Sequence, residues 1–260
     1  MTPLHLVINV ALVFCAIAWV ASLVTGDTSW VDRLWSIVPV VYVGLYAYKA
    51  NWHDARLNLM AACVFVWGAR LTFNFARKGG YSGTEDYRWE VLRGRMNKWQ
   101  FQLFNLFFIV LYQNFILVLI ALPAQLAYDN RVSFGFVDVL FAVVFLLMTL
   151  GEFVADHQQW NFYKKREAKE TTAKFNTHGL FAYSRHPNYF FELAQWWVLY
   201  AYAAYTAASV FNWEIVGVVL LTLLFAGSTK FTEDITLGKY PEYSQYQKRV
   251  KPVIPWVYKR

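Results

Sequence analysis

Apolar runs of about twenty residues recur along this chain, and a run of that length matches the thickness of a bilayer when wound as a helix. They cover 4–24, 31–48, 57–75, 101–127, 134–154, 189–208 and 213–227. Lipid offers no partner to backbone N–H and C=O groups, so a chain with such runs must cross it as helices whose hydrogen bonds are internal. Hydrophobic residues make up 58% of the 260 and aromatic ones 20%, more than a soluble core requires. The expected fold is all-α: one integral membrane domain over 1–260 with seven transmembrane helices. The first run lacks the basic leader and small-residue cleavage site of a signal peptide, and is read as a retained helix.

The net charge of +7 raises nucleic acid as a partner, but the cations are not clustered as a binding surface would need. Segments 25–33, 76–99, 156–187 and 228–260 hold 20 of the 24 Lys and Arg, whereas 49–56 and 127–133 hold 3. The two sets alternate between successive runs. By the positive-inside rule this puts the N-terminus outside, the C-terminus in the cytoplasm, and membrane lipids rather than nucleic acid around the chain. The host membrane, bacterial inner membrane or endoplasmic reticulum, is left open. Cys15 and Cys63 both lie in apolar runs and imply no disulfide framework, and no two of the five histidines have metal-ligand spacing on a helix.

The polar stretches meet on the basic side. In Arg185-His186-Pro187-Asn188-Tyr189, proline starts a helix, so Asn188 and Glu192 share a face one turn in, with Arg185 and His186 just outside it. Such cations commonly anchor a helix in the headgroup layer, but Glu192 inside an apolar run needs a polar partner. Arg70, within another run, needs a carboxylate or phosphate. Glu85-Asp86-Tyr87-Arg88 in the long loop 77–98 reads as a solvated loop with a local ion pair. Gln113-Asn114 reads as interhelical packing glue. Asp156 to Arg166 continues the fifth run past the membrane, and Tyr240, Tyr243 and Tyr246, three apart, line one side of a short helix. A polar ligand would be met on this face, and an apolar one could enter from the lipid.

Gly179-Leu180-Phe181, Arg185-His186-Pro187-Asn188-Tyr189 and Glu192 resemble the C-terminal signature of the steroid 5α-reductase superfamily. Together with Val31-Asp32-Arg33-Leu34-Trp35-Ser36, Trp67-Gly68-Ala69-Arg70-Leu71, Glu85 to Arg88, Asp156-His157-Gln158, Tyr243, Tyr246 and Pro255, the chain is most similar to a branch of uncharacterised steroid-reductase-like membrane proteins. The likeness covers nearly the whole chain, with the reductase-like half at about 134–260. It implies a seven-helix bundle that holds NADPH in a cytosol-facing cavity and reduces the C=C bond of a steroid-like, isoprenoid or other apolar enone. Asp156, Asn188, Tyr189 and Glu192 match cofactor-contacting positions, joined by His186, Tyr243 and Tyr246 of the same motifs. Tyr163 stands where an arginine is usual, which leaves Lys164, Lys165 and Arg185 for the phosphates. Of the glutamate and tyrosine that polarise the substrate carbonyl in steroid reductases, the first position holds Asp32 and the second Trp67. Indole cannot act as a phenol-type acid, so Tyr87 is a conceivable substitute. Isoprenylcysteine carboxyl methyltransferases share variants of the same helix and tail. This keeps an S-adenosylmethionine-dependent methyltransferase as a second reading, with a non-catalytic lipid- or cofactor-binding protein as a third.

Overall fold

The computed structural model describes residues 1–83 and 85–255. Thr2 caps helix α1 (Pro3–Thr25), its side chain accepting from His5 N, and Gly26 ends it in the left-handed conformation. Two pieces follow, α2 (Trp30–Trp35) and α3 (Val38–Lys49), then α4 (Ala55–Arg77), capped by Asp54, and the short α5 (Tyr87–Arg93), capped by Asp86. The next helix runs for 32 residues in three parts: α6 (Lys98–Phe104), a π-helical segment (Asn105–Tyr112) and α7 (Gln113–Asp129). Then come α8 (Phe136–Glu167), a 3₁₀ turn (Gly179–Ala182), α9 (Pro187–Thr206), α10 (Ile215–Lys239) and α11 (Tyr243–Arg249).

The fold is all-α, and five helical stretches have the length and apolarity to cross a bilayer: α1, α4, α6 to α7, α8 and α10. The protein is a multi-pass integral membrane protein. Two of the seven expected spans do not form such a helix. The run 31–48 is broken at Ser36-Ile37, with Pro39 opening α3, so only 12 residues remain in one piece. The run 189–208 does form a 20-residue helix, but Asn188, Glu192 and Gln195 on its buried side lower its apolarity. At 1.5 Å per residue α8 is about 48 Å long and outreaches a hydrocarbon core of about 30 Å. That length is enough for it to cross and still carry a charged end, Lys164-Lys165-Arg166, beyond the apolar part.

Polar contacts sort the connections into two ends. At one, Arg56 pairs with Asp138 at 2.5 Å and bonds the carbonyls of Val132 and Ser133, while the Tyr202 hydroxyl donates to Asp138 at 2.7 Å. At the other, the segment 80–86 is tied to the α1–α2 turn: Thr28 donates to Glu85, Ser29 receives the Asp86 N–H, and Arg33 donates to the Gly80 carbonyl. Between them lies a core in which Trp67 of α4 and Trp196 of α9 meet edge to face, 4.8 Å between centroids. Gly217 lets α10 press against the backbone of α7, since a Cβ there would collide with the Leu119 carbonyl.

Candidate functional site

Two cavities open toward the end that carries α5 and α11, and they run together. The inner one, about 290 Å³, lies among α2, α4, α7, α8, α9 and α10, with Trp35, Leu71, Phe75, Leu224 and Phe225 among its apolar lining. The outer one, about 530 Å³, lies under α11 and the 3₁₀ turn. Lys78, Asp86, Arg88, Asp156, Asn188 and Tyr189 border both. The cations Lys78, Arg88, Arg166, Lys174, Arg185 and Lys239 border the outer cavity against two acids, Asp86 and Asp156. The outer chamber is therefore basic, and the inner one joins a largely apolar surface to a set of acids.

Beneath the junction sits a buried charge cluster. Arg70 of α4 reaches Glu152 at 2.6 Å, Asp156 at 2.7 Å and Glu192 at 3.6 Å. Glu152 and Asp156 are four apart on α8, which puts both on the face turned to α4. Asn74 adds a bond to Asp156 at 2.8 Å, and Gln195 donates to Glu152 and Glu192. The oxygens of Glu192 also accept from the indoles of Trp67 at 2.8 Å and Trp196 at 3.0 Å. Charges this deep persist only with such pairing. Arg70 thus has its expected carboxylate partners, and Glu192 its polar one.

Asp32 behaves differently. It lines the inner chamber, forms no ion pair among the described residues, and accepts one hydrogen bond, from the Trp89 indole at 2.8 Å. Its neighbour Arg33 is taken by Asp27 at 2.5 Å and by the Gly80 carbonyl. α2 lies outside the spanning helices. Burial pushes the Asp32 carboxyl up to about 6, with Arg88 pulling it down and Asp86 up.

Not every residue singled out by sequence reaches the cavities in the expected way. Lys164 and Lys165 point away: Lys164 pairs with Glu167 at 2.9 Å on the outer surface, and on α8 it is Gln159, Phe162, Tyr163 and Arg166 that face the cavity. Tyr87 borders the outer chamber and is not brought to Asp32; Trp89, two residues on, is. Arg185 borders the outer chamber, but its guanidinium is bidentate to Glu233 at 2.6 and 2.7 Å and also bonds the carbonyls of Gln247 and Val250. His186 joins it on Glu233 at 3.0 Å and stacks on Tyr189. These two residues clamp the C-terminal segment, whose Lys251 and Pro252 carbonyls accept from their backbone N–H groups. Tyr243 and Tyr246 pack on Phe175 in the chamber wall, and the Tyr246 hydroxyl donates to the Phe181 carbonyl. Gly179, at φ 64, leaves room for Gln158, which accepts from Leu180 N at 2.9 Å. Asp156, Asn188 and Tyr189 border both chambers, whereas Glu192 belongs to the inner one.

Arg88, Lys78, Glu152 and Glu233 were not foreseen as site residues. The spacing of Glu152 and Asp156 was a legible signal for the first of these acids. Arg88 forks onto Asp86 at 2.9 and 2.8 Å, the local pair expected in that loop, yet it also borders both chambers.

The sequence model of a family described as "protein of unknown function (DUF1295)" matches residues 18–250. An uncharacterized protein of Schizosaccharomyces pombe, C594.04c, is 37% identical over 260 residues, covering 92% of this chain and 76% of that one. No solved structure matches.

Proposed function

Because the chain belongs to the DUF1295 family, whose description carries no activity, its reaction must be read from the two chambers, and we propose that it is an NADPH-dependent reductase of the C=C bond of an apolar enone. The observation that carries this reading is the joining of a basic, aromatic chamber to a largely apolar one whose wall holds a carboxyl, Asp32, with no ion pair among the described residues. The resemblance of the Arg185 to Glu192 motif and of the Asp32 segment to steroid 5α-reductases supports it.

A dinucleotide suits the outer chamber. Its volume falls in the range of about 300–1,000 Å³ usual for ligand sites. Lys78, Arg88, Arg166, Lys174 and Lys239 offer charge to phosphates, and Gln159 Oε1 is buried there without a partner. Tyr189 and Asn188 stand where the chambers join and would hold the ring end. When bound, NADPH supplies a hydride to the β-carbon of the enone. Asp32, when neutral, donates a proton to the carbonyl oxygen as enolate charge develops on it. The apolar wall of Trp35, Leu71, Phe75, Leu224 and Phe225 excludes water and accepts a steroid-like, isoprenoid or other lipid skeleton.

In this reading the two shorter stretches also cross the membrane, α3 as a short span below an interfacial α2 and α9 as a span lined by polar groups. Seven crossings result, with the N-terminus outside and both chambers opening to the cytoplasm, the side that carries most Lys and Arg. Denaturing the protein purified from its native membrane and weighing the small molecules released tests the cofactor directly. NADP(H) is expected. S-adenosylmethionine in its place would establish the methyltransferase reading and overturn this one.

A further inference from the structure

Many of the polar groups of the inner chamber are committed to one another. Glu152, Asp156 and Glu192 are held by Arg70 and its neighbours, Asn74 by Asp156 and Arg77, Ser36 by Thr72, and Asp86 by Arg88. Gln113 is an exception. It is 4% exposed, lines the chamber, and its carboxamide has no hydrogen-bond partner among the described residues. Its neighbour Asn114 donates to the Val110 carbonyl at 2.8 Å, a bond within its own helix and not the interhelical one expected of packing glue.

The backbone explains why Gln113 faces inward. It is the first α-helical residue after the π-helical segment Asn105–Tyr112. A π turn shifts the register of a helix and thereby re-aims the side chains that follow it, a device frequent at functional sites. Here Gln113 lines the same chamber as the committed acids, on a helix that α2, the carrier of Asp32, packs against. An amide that opens onto a chamber and bonds no protein group there is free to meet a water or a ligand oxygen.

We infer that Gln113 is a specificity-determining residue that binds an oxygen of the lipid held in the inner chamber, so that the chamber selects oxygenated lipids over hydrocarbon skeletons of the same shape. The inference rests on the inner chamber being the lipid site of the proposed reaction, but not on hydride transfer. A carboxamide both donates and accepts, so it takes a hydroxyl or a carbonyl oxygen equally well. A site built around such a bond rejects an analogue that lacks it, a discrimination that an apolar pocket of the same shape does not make.

The test is photo-crosslinking of the full chain in nanodiscs without nucleotide, using a diazirine-bearing long-chain alcohol and the matching diazirine alkane at equal mole fraction in the bilayer. Wild type is expected to label with the alcohol about tenfold better than with the alkane, the worth of one buried hydrogen bond. Gln113→Met, apolar and of similar length, should abolish that preference while labelling with the alkane is kept. Gln113→Asn, which retains the amide on a shorter arm, covers the case in which the methionine variant fails to fold: its preference should fall between the two. A wild type without preference would overturn the inference, as would an undiminished preference in whichever variant folds, or a preference lost in Asp32→Asn alone. Each of these outcomes leaves the nucleotide measurement of the proposed function standing or falling on its own.

Discussion

The indole N–H of Trp67 donates to a carboxylate oxygen of Glu192 at 2.8 Å, across 125 positions of sequence. Trp67 is fully buried and its indole N–H is taken up by the charge cluster, so it holds an acid in place. Trp67→Phe removes this donor and leaves Gln195, Trp196 and Arg70 on Glu192. Melting in detergent should show a loss of about 1–3 kcal/mol, the net worth of one hydrogen bond to a carboxylate. Nucleotide affinity should stay within twofold. An equally stable variant would mean that the indole bond contributes nothing.

Arg70 is the more severe case, because three carboxylates depend on it. Arg70→Met leaves them without their counter-charge, and removing one side of a buried ion pair costs about 3–5 kcal/mol. Folded protein should not be recovered from the membrane. Pairing Arg70→Met with Glu152→Gln and Glu192→Gln should restore part of the yield, since neutral amides do not need the guanidinium.

These pairings show where sequence reading succeeds and where it stops. A lone Glu192 and a lone Arg70 in apolar runs were legible as groups that require partners, because burial cost is a property of the residue. Their partners were not legible, because helix packing chooses them. Arg185 read as a free cation for the same reason: Glu233, which claims it, lies 48 positions on inside α10. The break in 31–48 did have a local signal in Pro39, which has no N–H to donate and is favoured in the first turn of a helix, but the apolar run masked it. Lys164 and Lys165 were placed by charge alone, whereas the helical register of α8 turns Tyr163 and Arg166 toward the cavity instead. Gln113 was legible as a polar residue in an apolar run, but not the way it faces, since a π-helical segment cannot be read from composition.

That register gives a prediction about the nucleotide. Arg166→Ala and Lys78→Ala each remove a cation from the outer chamber and should weaken NADPH binding about tenfold, the worth of a charge-assisted bond. Lys164→Ala and Lys165→Ala, on the outer surface, should leave it unchanged. Titration of the purified variants with NADPH, followed by fluorescence, separates the two sets. Equal losses in all four would show that long-range charge, not contact, sets the affinity.

The same chamber fixes the sidedness to be measured. Cysteines introduced at Ser82 and Thr171, in a chain with Cys15 and Cys63 replaced by alanine, should react with an impermeant maleimide only from the cytoplasmic side. A cysteine at Asn130, near the Arg56–Asp138 end, should react only from the other. Reaction of Ser82 and Asn130 sites from one side would break the seven-crossing reading.

The pH dependence tests Asp32 as the acid. Its carboxyl, raised to about 6 by burial, is mostly neutral below that pH and mostly charged above it. Only the neutral form can donate, so turnover of an enone should be highest below about 6 and fall by about tenfold per pH unit well above it. Asp32→Asn should flatten that limb and lower turnover strongly, with NADPH affinity kept. Arg88→Gln offers a sharper check. Arg88 pulls the Asp32 pKa down directly and also neutralises Asp86, which pushes it up, so losing the guanidinium acts in one direction through both. The limb should move to higher pH in Arg88→Gln. A limb that stays put in that variant, or survives in Asp32→Asn, would assign the titration to another group and remove Asp32 from the chemistry.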